Sequence, residues 1–263
     1  MDTSHISESN YIPRISINML GVCSIAADGV VQATVPSGFF RIAAYLLLSG
    51  SRMTMSRQHL KSMFWPDVDV ENAGANLRQS LARIRRFQDE NDFRFINSNF
   101  SLVYLTPDGI DCDLRGFLDT AEGDDVEALV SACELYGGEL LADIGASSAE
   151  FEEWLAGQRE RLRSGLIERL TGALNDGAGL SPAMRSLCAH KLLGVDPCNE
   201  RAFQALMTEA AEQGDHARLR HLFERCERQL MSEFGVGSSA DTRGLYAELS
   251  RGLGSPPPRN VPR

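Results

Sequence analysis

The chain of 263 residues reads as an α+β N-terminal module, a winged helix-turn-helix with a leading antiparallel sheet, followed by an all-α tetratricopeptide-like helical domain. Three observations predict this. Short alternating segments open the chain, an amphipathic arginine-rich helix lies between two apolar stretches in its first half, and long helical patterns with turn-forming breaks recur in its second half.

Residues 14–20 (RISINML) place Ile15, Ile17 and Met19 at alternate positions, as on a half-buried strand. Residues 22–26 and 30–35 read as further strands, joined through Asp28-Gly29, a dipeptide suited to a tight hairpin. Residues 39–48 (FFRIAAYLLL) predict a buried helix with a stop at Ser49-Gly50. Ser56 can cap a second helix over 57–65, which Pro66 ends. The third helix is 76–87 (NLRQSLARIRRF), and the apolar segments 93–96 and 103–105 around Asn97-Ser98-Asn99 predict a hairpin. In a winged helix-turn-helix of this order the third helix enters the major groove and the hairpin lies along the adjoining backbone.

The chemistry of the third helix fits that placement. At about 100° per residue, Leu77, Leu81 and Ile84 form one apolar stripe, while Gln79, Arg83 and Arg86 lie together on the opposite side. A glutamine can read adenine, and an arginine can pair with guanine or with phosphate. Asn76 lies near the edge of this stripe, and Arg78 and Arg85 flank it with the reach for phosphate contacts. The competing reading of the charge pattern is a solvated amphipathic face.

Composition limits the alternatives. The formal net charge is -10, with 43% hydrophobic and 24% charged residues, as in an ordinary soluble protein. No run reaches the roughly 18 apolar residues of a membrane span, and MDTSHISESN is not an export signal, so a cytoplasmic location is expected. Residues 1–110 hold ten Lys and Arg against ten Asp and Glu, which leaves sixteen against twenty-six for residues 111–263. Such asymmetry suggests two modules with different partners. The seam falls at the turn tripeptide Pro107-Asp108-Gly109, giving domains over 14–108 and 109–253, with a disordered N-terminus at 1–13 and a disordered tail at 254–263.

The second module reads as stacked helices. Phe151, Trp154, Leu155, Leu162, Leu166 and Leu170 share one face of a helix over 150–170, and further patterns cover 183–193, 200–212, 217–234 and 242–253. Small residues such as Ala202 and Ala205 at the contacts suggest tetratricopeptide-like pairs, without a strict 34-residue period. Trp154 and Phe203 are expected in the core.

Nothing in the sequence points to an enzyme, a metal or a cofactor. The six cysteines show no C-x-x-C spacing and read as buried thiols, and the five histidines include no H-E-x-x-H pair. His59 reads as a surface or partly buried residue. There is no P-loop, no G-x-G-x-x-G after a strand and no G-x-S-x-G elbow.

Residues 60–87 (LKSMFWPDVDVENAGANLRQSLARIRRF) carry Trp65-Pro66-Asp67 and Ala75-Asn76-Leu77-Arg78-Gln79. Tyr136-Gly137-Gly138-Glu139-Leu140-Leu141, a helix with Trp154 and Arg159, and Asp196-Pro197-Cys198-Asn199-Glu200 follow in order. These motifs resemble the bacterial transcriptional activators of the antibiotic regulatory protein type (SARP), over roughly residues 14–250. The resemblance implies an OmpR-type winged helix-turn-helix followed by a bacterial transcriptional activator domain, bound to promoter DNA. It also implies that the loop 66–74, with Asp67, Asp69 and Glu71, faces RNA polymerase. Two departures stand out: only Arg41 is basic in the first helix, where the family has several cations, and the wing Asn97-Ser98-Asn99-Phe100-Ser101 carries no charge. Each lost phosphate contact flattens the salt dependence, so weaker nonspecific binding is expected, helped by a second copy, tandem sites or RNA polymerase.

The expected function is thus a sequence-specific DNA-binding transcriptional regulator, an activator that recruits RNA polymerase. The alternative is a protein-interaction adaptor that keeps the fold with little or no DNA binding, favoured if Asp89, Glu90 and Asp92 interrupt the positive strip.

Overall fold

The computed structural model describes residues 13–50, 52–121, 125–145, 147–176 and 179–252. The two terminal segments expected to be disordered lie outside these, apart from Pro13. The chain divides into two compact units, Met1–Asp119 with Leu135–Glu160, and Thr120–Glu134 with Arg161–Arg263.

The first unit opens with β1 (Ile15–Asn18), β2 (Ser24–Ala27) and β3 (Val30–Val31). Ala27 pairs with Val30 across Asp28-Gly29, and both loop residues have positive φ, 51° and 79°. That is the twist a two-residue hairpin needs, and Asp and Gly tolerate it. There follow α1 (Ser37–Ser49), β4 (Thr54–Ser56), α2 (Arg57–Phe64), α3 (Val70–Glu90), β5 (Ile96–Ser98), β6 (Leu102–Leu105), β7 (Ile110–Cys112) and α4 (Asp113–Thr120). One sheet has the order β3-β2-β1-β7 and the other β4-β6-β5. The third helix begins six residues earlier than its apolar stripe suggests, because the Asp69 carboxylate accepts from the Asn72 amide at 3.0 Å and caps it.

Phe39 on α1 is fully buried at the centre of the helical layer, with ring centroids 5.6–6.2 Å from Phe40, Phe87, Phe93 and Phe95. Aromatic pairs at such distances add to area burial through their quadrupoles. The hairpin of β5 and β6 is fastened to α3 by Gln88, whose side chain is fully buried. Its Oε1 accepts from the Phe95 and Ile96 amides at 2.9 and 2.8 Å, and its Nε2 donates to the Ile96 carbonyl at 2.9 Å.

Contacts carry this unit past the seam expected after Asp108. β7 pairs in parallel with β1, Ile15 opposite Ile110. The next residue, Asp113, is buried, and its carboxylate accepts from the Met19, Leu20 and Leu114 amides at 2.6–2.8 Å. Burial raises its pKa and these amides oppose the rise. Asp113→Ala strips the acceptor from three buried amides, and a destabilisation of about 3 kcal/mol is expected in urea unfolding; an unchanged midpoint would contradict this account. The segment 135–145 then lies along the β1–β2 turn. Gly21 donates to Glu139 and Leu141 to Met19, at 2.9 and 2.8 Å. A Cβ on Gly137 would stand 2.6 Å from the Leu20 carbonyl oxygen, so only glycine permits this approach. Trp154, near the start of α6 (Ala149–Asp176), packs on Tyr45 and Phe151 at 4.8 and 5.2 Å and donates to Ser49. It is half-buried, packed against these rings rather than enclosed in the core as expected.

The second unit comprises α5 (Val126–Leu135, through Glu134), α6 from Arg161 onward, α7 (Pro182–Val195), α8 (Glu200–Glu212), α9 (His216–Phe234) and α10 (Ala240–Gly252). α8 packs against α7, α9 and α10. Ala202, Phe203, Leu206, Met207 and Ala210 are its buried residues, so Phe203 is core. Ser181, Asn199 and Asp215 each cap the next helix through a side-chain oxygen, and Gly235 ends α9 in the left-handed region at φ 69°. The six cysteines are unbridged, four buried and Cys23 and Cys198 half-buried.

Candidate nucleic-acid interface

α3 rests on the first unit's core through Ala73, Leu77, Leu81, Ile84, Phe87 and Gln88. The helical period then fixes which side chains face solvent. Gln79, Arg83 and Arg86 occupy one exposed flank with half-buried Asn76 beside them, and Arg78 and Arg85 occupy the other. The apolar stripe is therefore flanked by two polar rows.

The Arg78 and Arg85 flank borders the hairpin, and a groove of about 440 Å³ lies between them. Four guanidinium groups line it, those of Arg57, Arg78, Arg85 and Arg94, and none of its lining residues is acidic. In a chain of net charge -10 such a cluster concentrates positive potential locally. Arg57 Nε donates to the Asn99 carbonyl at 2.9 Å and its Nη2 to Ser98 Oγ at 3.2 Å, so the same residue braces the hairpin tip. Asn97 and Ser98 complete the wall on the hairpin side.

Arg57 and Arg94 were not singled out by the sequence. Arg94 stands alone between apolar residues and gains its place only when the chain turns from α3 into β5. Arg57 did carry a signal: a cation in the first turn of a helix opposes the helix dipole, so its presence there implies another use.

Acidic neighbours restrain part of the positive face. Arg86 Nε donates to Glu90 at 2.8 Å, which raises the Arg86 pKa, mainly through that hydrogen bond. Asp89 is 3.9 Å from Arg85 and also bonds Arg94. Arg78 and Arg83 have no ion-pair partner among the described residues. The paired side chains are 46–82% exposed, so solvent screens the pairs and they exchange readily with an incoming anion.

On the Gln79 and Arg83 flank, a second cavity of about 440 Å³ brings Arg83 and Ser80 together with Arg41, Ser37 and Trp65. Arg41 donates to the Gly145 carbonyl at 2.8 Å, and burial lowers its pKa. His59 stacks on Tyr45 and meets its hydroxyl at 2.7 Å.

Of the acidic residues expected to face RNA polymerase, Asp67, Asp69 and Glu71 are all exposed. Asp69 has a structural task as the cap of α3; its hydrogen bond from the Asn72 amide is the main reason its pKa is lowered. Glu71 stands in the first helical turn, so the loop read as 66–74 is shorter and ends at Asp69.

Among the described residues there is no group of three or more His, Cys, Asp or Glu placed to hold a metal, and no helix long and apolar enough to cross a membrane.

The family model described as "bacterial transcriptional activator domain" matches residues 115–250. Among solved structures, Mycobacterium tuberculosis EmbR in complex with a low-affinity phosphopeptide aligns at TM-score 0.55 and 18% identity, over 91% of this chain. The match spans 65% of the EmbR chain, and at this identity it shows the fold alone. No curated protein matches the sequence.

Proposed function

We propose that this chain, which belongs to the bacterial transcriptional activator domain family, is a transcriptional regulator of the antibiotic regulatory protein kind whose first unit binds promoter DNA in a sequence-specific manner. In this reading the first unit works as a winged helix-turn-helix of OmpR type. α3 enters the major groove, Gln79, Arg83 and Arg86 read base edges with Asn76 at the groove margin, and the β5–β6 hairpin is the wing. Arg78 and Arg85, joined by Arg57 and Arg94, hold the phosphate backbone.

The observation that carries the proposal is the groove with four guanidinium groups and no lining carboxylate beside α3, in an otherwise acidic chain. Phosphate is the ligand such a cluster fits, because arginine pairs with it bidentately. Asp67, Asp69 and Glu71 would present an acidic edge to RNA polymerase, and the helices of the second unit would supply tetratricopeptide-like assembly surfaces for a second copy or tandem binding. The protein would act as a cytoplasmic activator.

One observation favours a second reading. Glu90 and Asp89 engage three of the arginines of this face, which suits an adaptor with little DNA affinity. Genome-wide chromatin precipitation separates the two, since it samples every promoter without an assumed operator. Discrete promoter peaks are expected, and their absence under every growth condition tried would leave the adaptor reading.

Salt titration tests the groove itself. Arg78→Ala and Arg85→Ala are each expected to reduce the slope of log K against log salt by about 1 while leaving the preferred sequence unchanged. An altered sequence preference would move these residues from phosphate holding to base reading.

A further inference from the structure

The hairpin that borders the groove carries no charge at its tip, yet it presents the most exposed large apolar side chain among the described residues, Phe100, at 100% exposure. A phenyl ring held wholly in water at the end of a turn makes no contribution to the core. The turn that carries it is tightly held. Asn99 Oδ1 accepts from the Ser101 and Leu102 amides at 3.0 and 2.8 Å, and the Asn99 amide donates to Leu102 at 3.0 Å. The Arg57 amide donates to Ser101 at 2.9 Å, in addition to the two bonds its guanidinium makes to Asn99 and Ser98. Arg57 therefore joins the ring's support to the anion-holding groove.

We propose that Phe100 is an apolar wedge that inserts between base pairs in the minor groove next to the segment held by α3, unstacking one step and bending the duplex. The inference rests on the DNA-binding reading above. Charge complementarity names the occupant: the groove of Arg57, Arg78, Arg85 and Arg94 draws a polyanion to the foot of the hairpin, and the ring projects beyond it. Phenylalanine wedges in other minor-groove proteins kink the duplex by roughly 20–90°, because the unstacking cost is offset by contacts that the bend permits. An uncharged tip then takes part in recognition through sequence-dependent deformability, with flexible pyrimidine-purine steps preferred under the ring. This would compensate for the cations that the wing lacks.

The test begins with selection of binding sites by the full chain from a pool of random-sequence duplexes. 2-Aminopurine, a base analogue that brightens when unstacked, is then placed at successive positions across the selected site. The expected result is a several-fold rise in fluorescence at one step outside the α3-protected segment. Phe100→Ala should abolish that rise and weaken binding about tenfold with no change in salt slope, since no charge is removed. Phe100→Leu should keep much of the rise, and Phe100→Arg should restore affinity with a steeper salt slope but no unstacking. The side chain is fully exposed, so equal thermal unfolding of all variants is expected. If no position brightens with the wild type, or Phe100→Ala binds as tightly as the wild type, the wedge is wrong while base reading by α3 stands. A Phe100→Ala chain that binds DNA normally yet fails to activate transcription assigns the ring to a protein partner and overturns the wedge. If the wild type retains no duplex from the pool, both readings fall.

Discussion

Replacing Arg83 and Arg86 together by alanine is expected to erase the discrete promoter peaks expected of the wild type and to lower affinity for a selected site about a hundredfold, as the loss of the two proposed guanidinium contacts to base edges requires. Both side chains are exposed, and their neighbours on α3 that enter the core, Leu77, Leu81, Ile84 and Phe87, are untouched, so the variant should fold as the wild type does. Arg86 adds a feature that sets base reading apart from mere helix pairing. It is bonded to Glu90 in the free protein, and that bond must yield before Arg86 reaches DNA. Glu90→Gln should therefore tighten binding a few-fold, opposite in sign to Arg86→Ala. If Glu90→Gln weakens binding, or the double variant keeps its peaks, Arg86 is not a reader of bases.

The second large effect concerns a residue that never touches DNA in this reading. Gln88→Leu preserves side-chain bulk but leaves the Phe95 and Ile96 amides and the Ile96 carbonyl without partners in a buried site. Each orphaned group costs about 1–3 kcal/mol, and because the three are adjacent and partly relax together, a total loss of about 3 kcal/mol is expected. Chemical denaturation followed by near-ultraviolet dichroism of the aromatic cluster around Phe39 measures it. The same bonds fix the hairpin against α3, so DNA affinity should fall even at temperatures where the variant is folded. A Gln88→Leu chain with wild-type unfolding and wild-type affinity would show that hairpin position is set elsewhere.

Much of this architecture was legible in the sequence. Asp28-Gly29, Ser56 and Gly235 each act as punctuation, because turn and cap chemistry is local. The apolar stripe of α3 named three of its six buried residues, Leu77, Leu81 and Ile84, and the same period put Gln79, Arg83 and Arg86 on one flank. Gln88 was missed: a glutamine near the end of a charged helix looks like a surface residue, and only the return of the chain at Phe95 and Ile96 buries it. β4 and β7 were missed for a related reason. Each is three residues long, too short for a period, and each exists because a distant strand offers it a ladder, Val103 opposite Met55 and Ile15 opposite Ile110.

The sequence by itself thus determined the first three helices, the Ser56 cap and the residues that α3 exposes, since these depend on side chains within one or two turns of each other. The tertiary structure alone decided that Arg57 and Arg94 join Arg78 and Arg85 around one groove, that Asp113 and the glycine-rich segment 137–138 close on the first strand, and that Phe100 stands free at a braced tip. Those arrangements depend on residues brought together over tens of positions, and local periodicity carries no information about such closures.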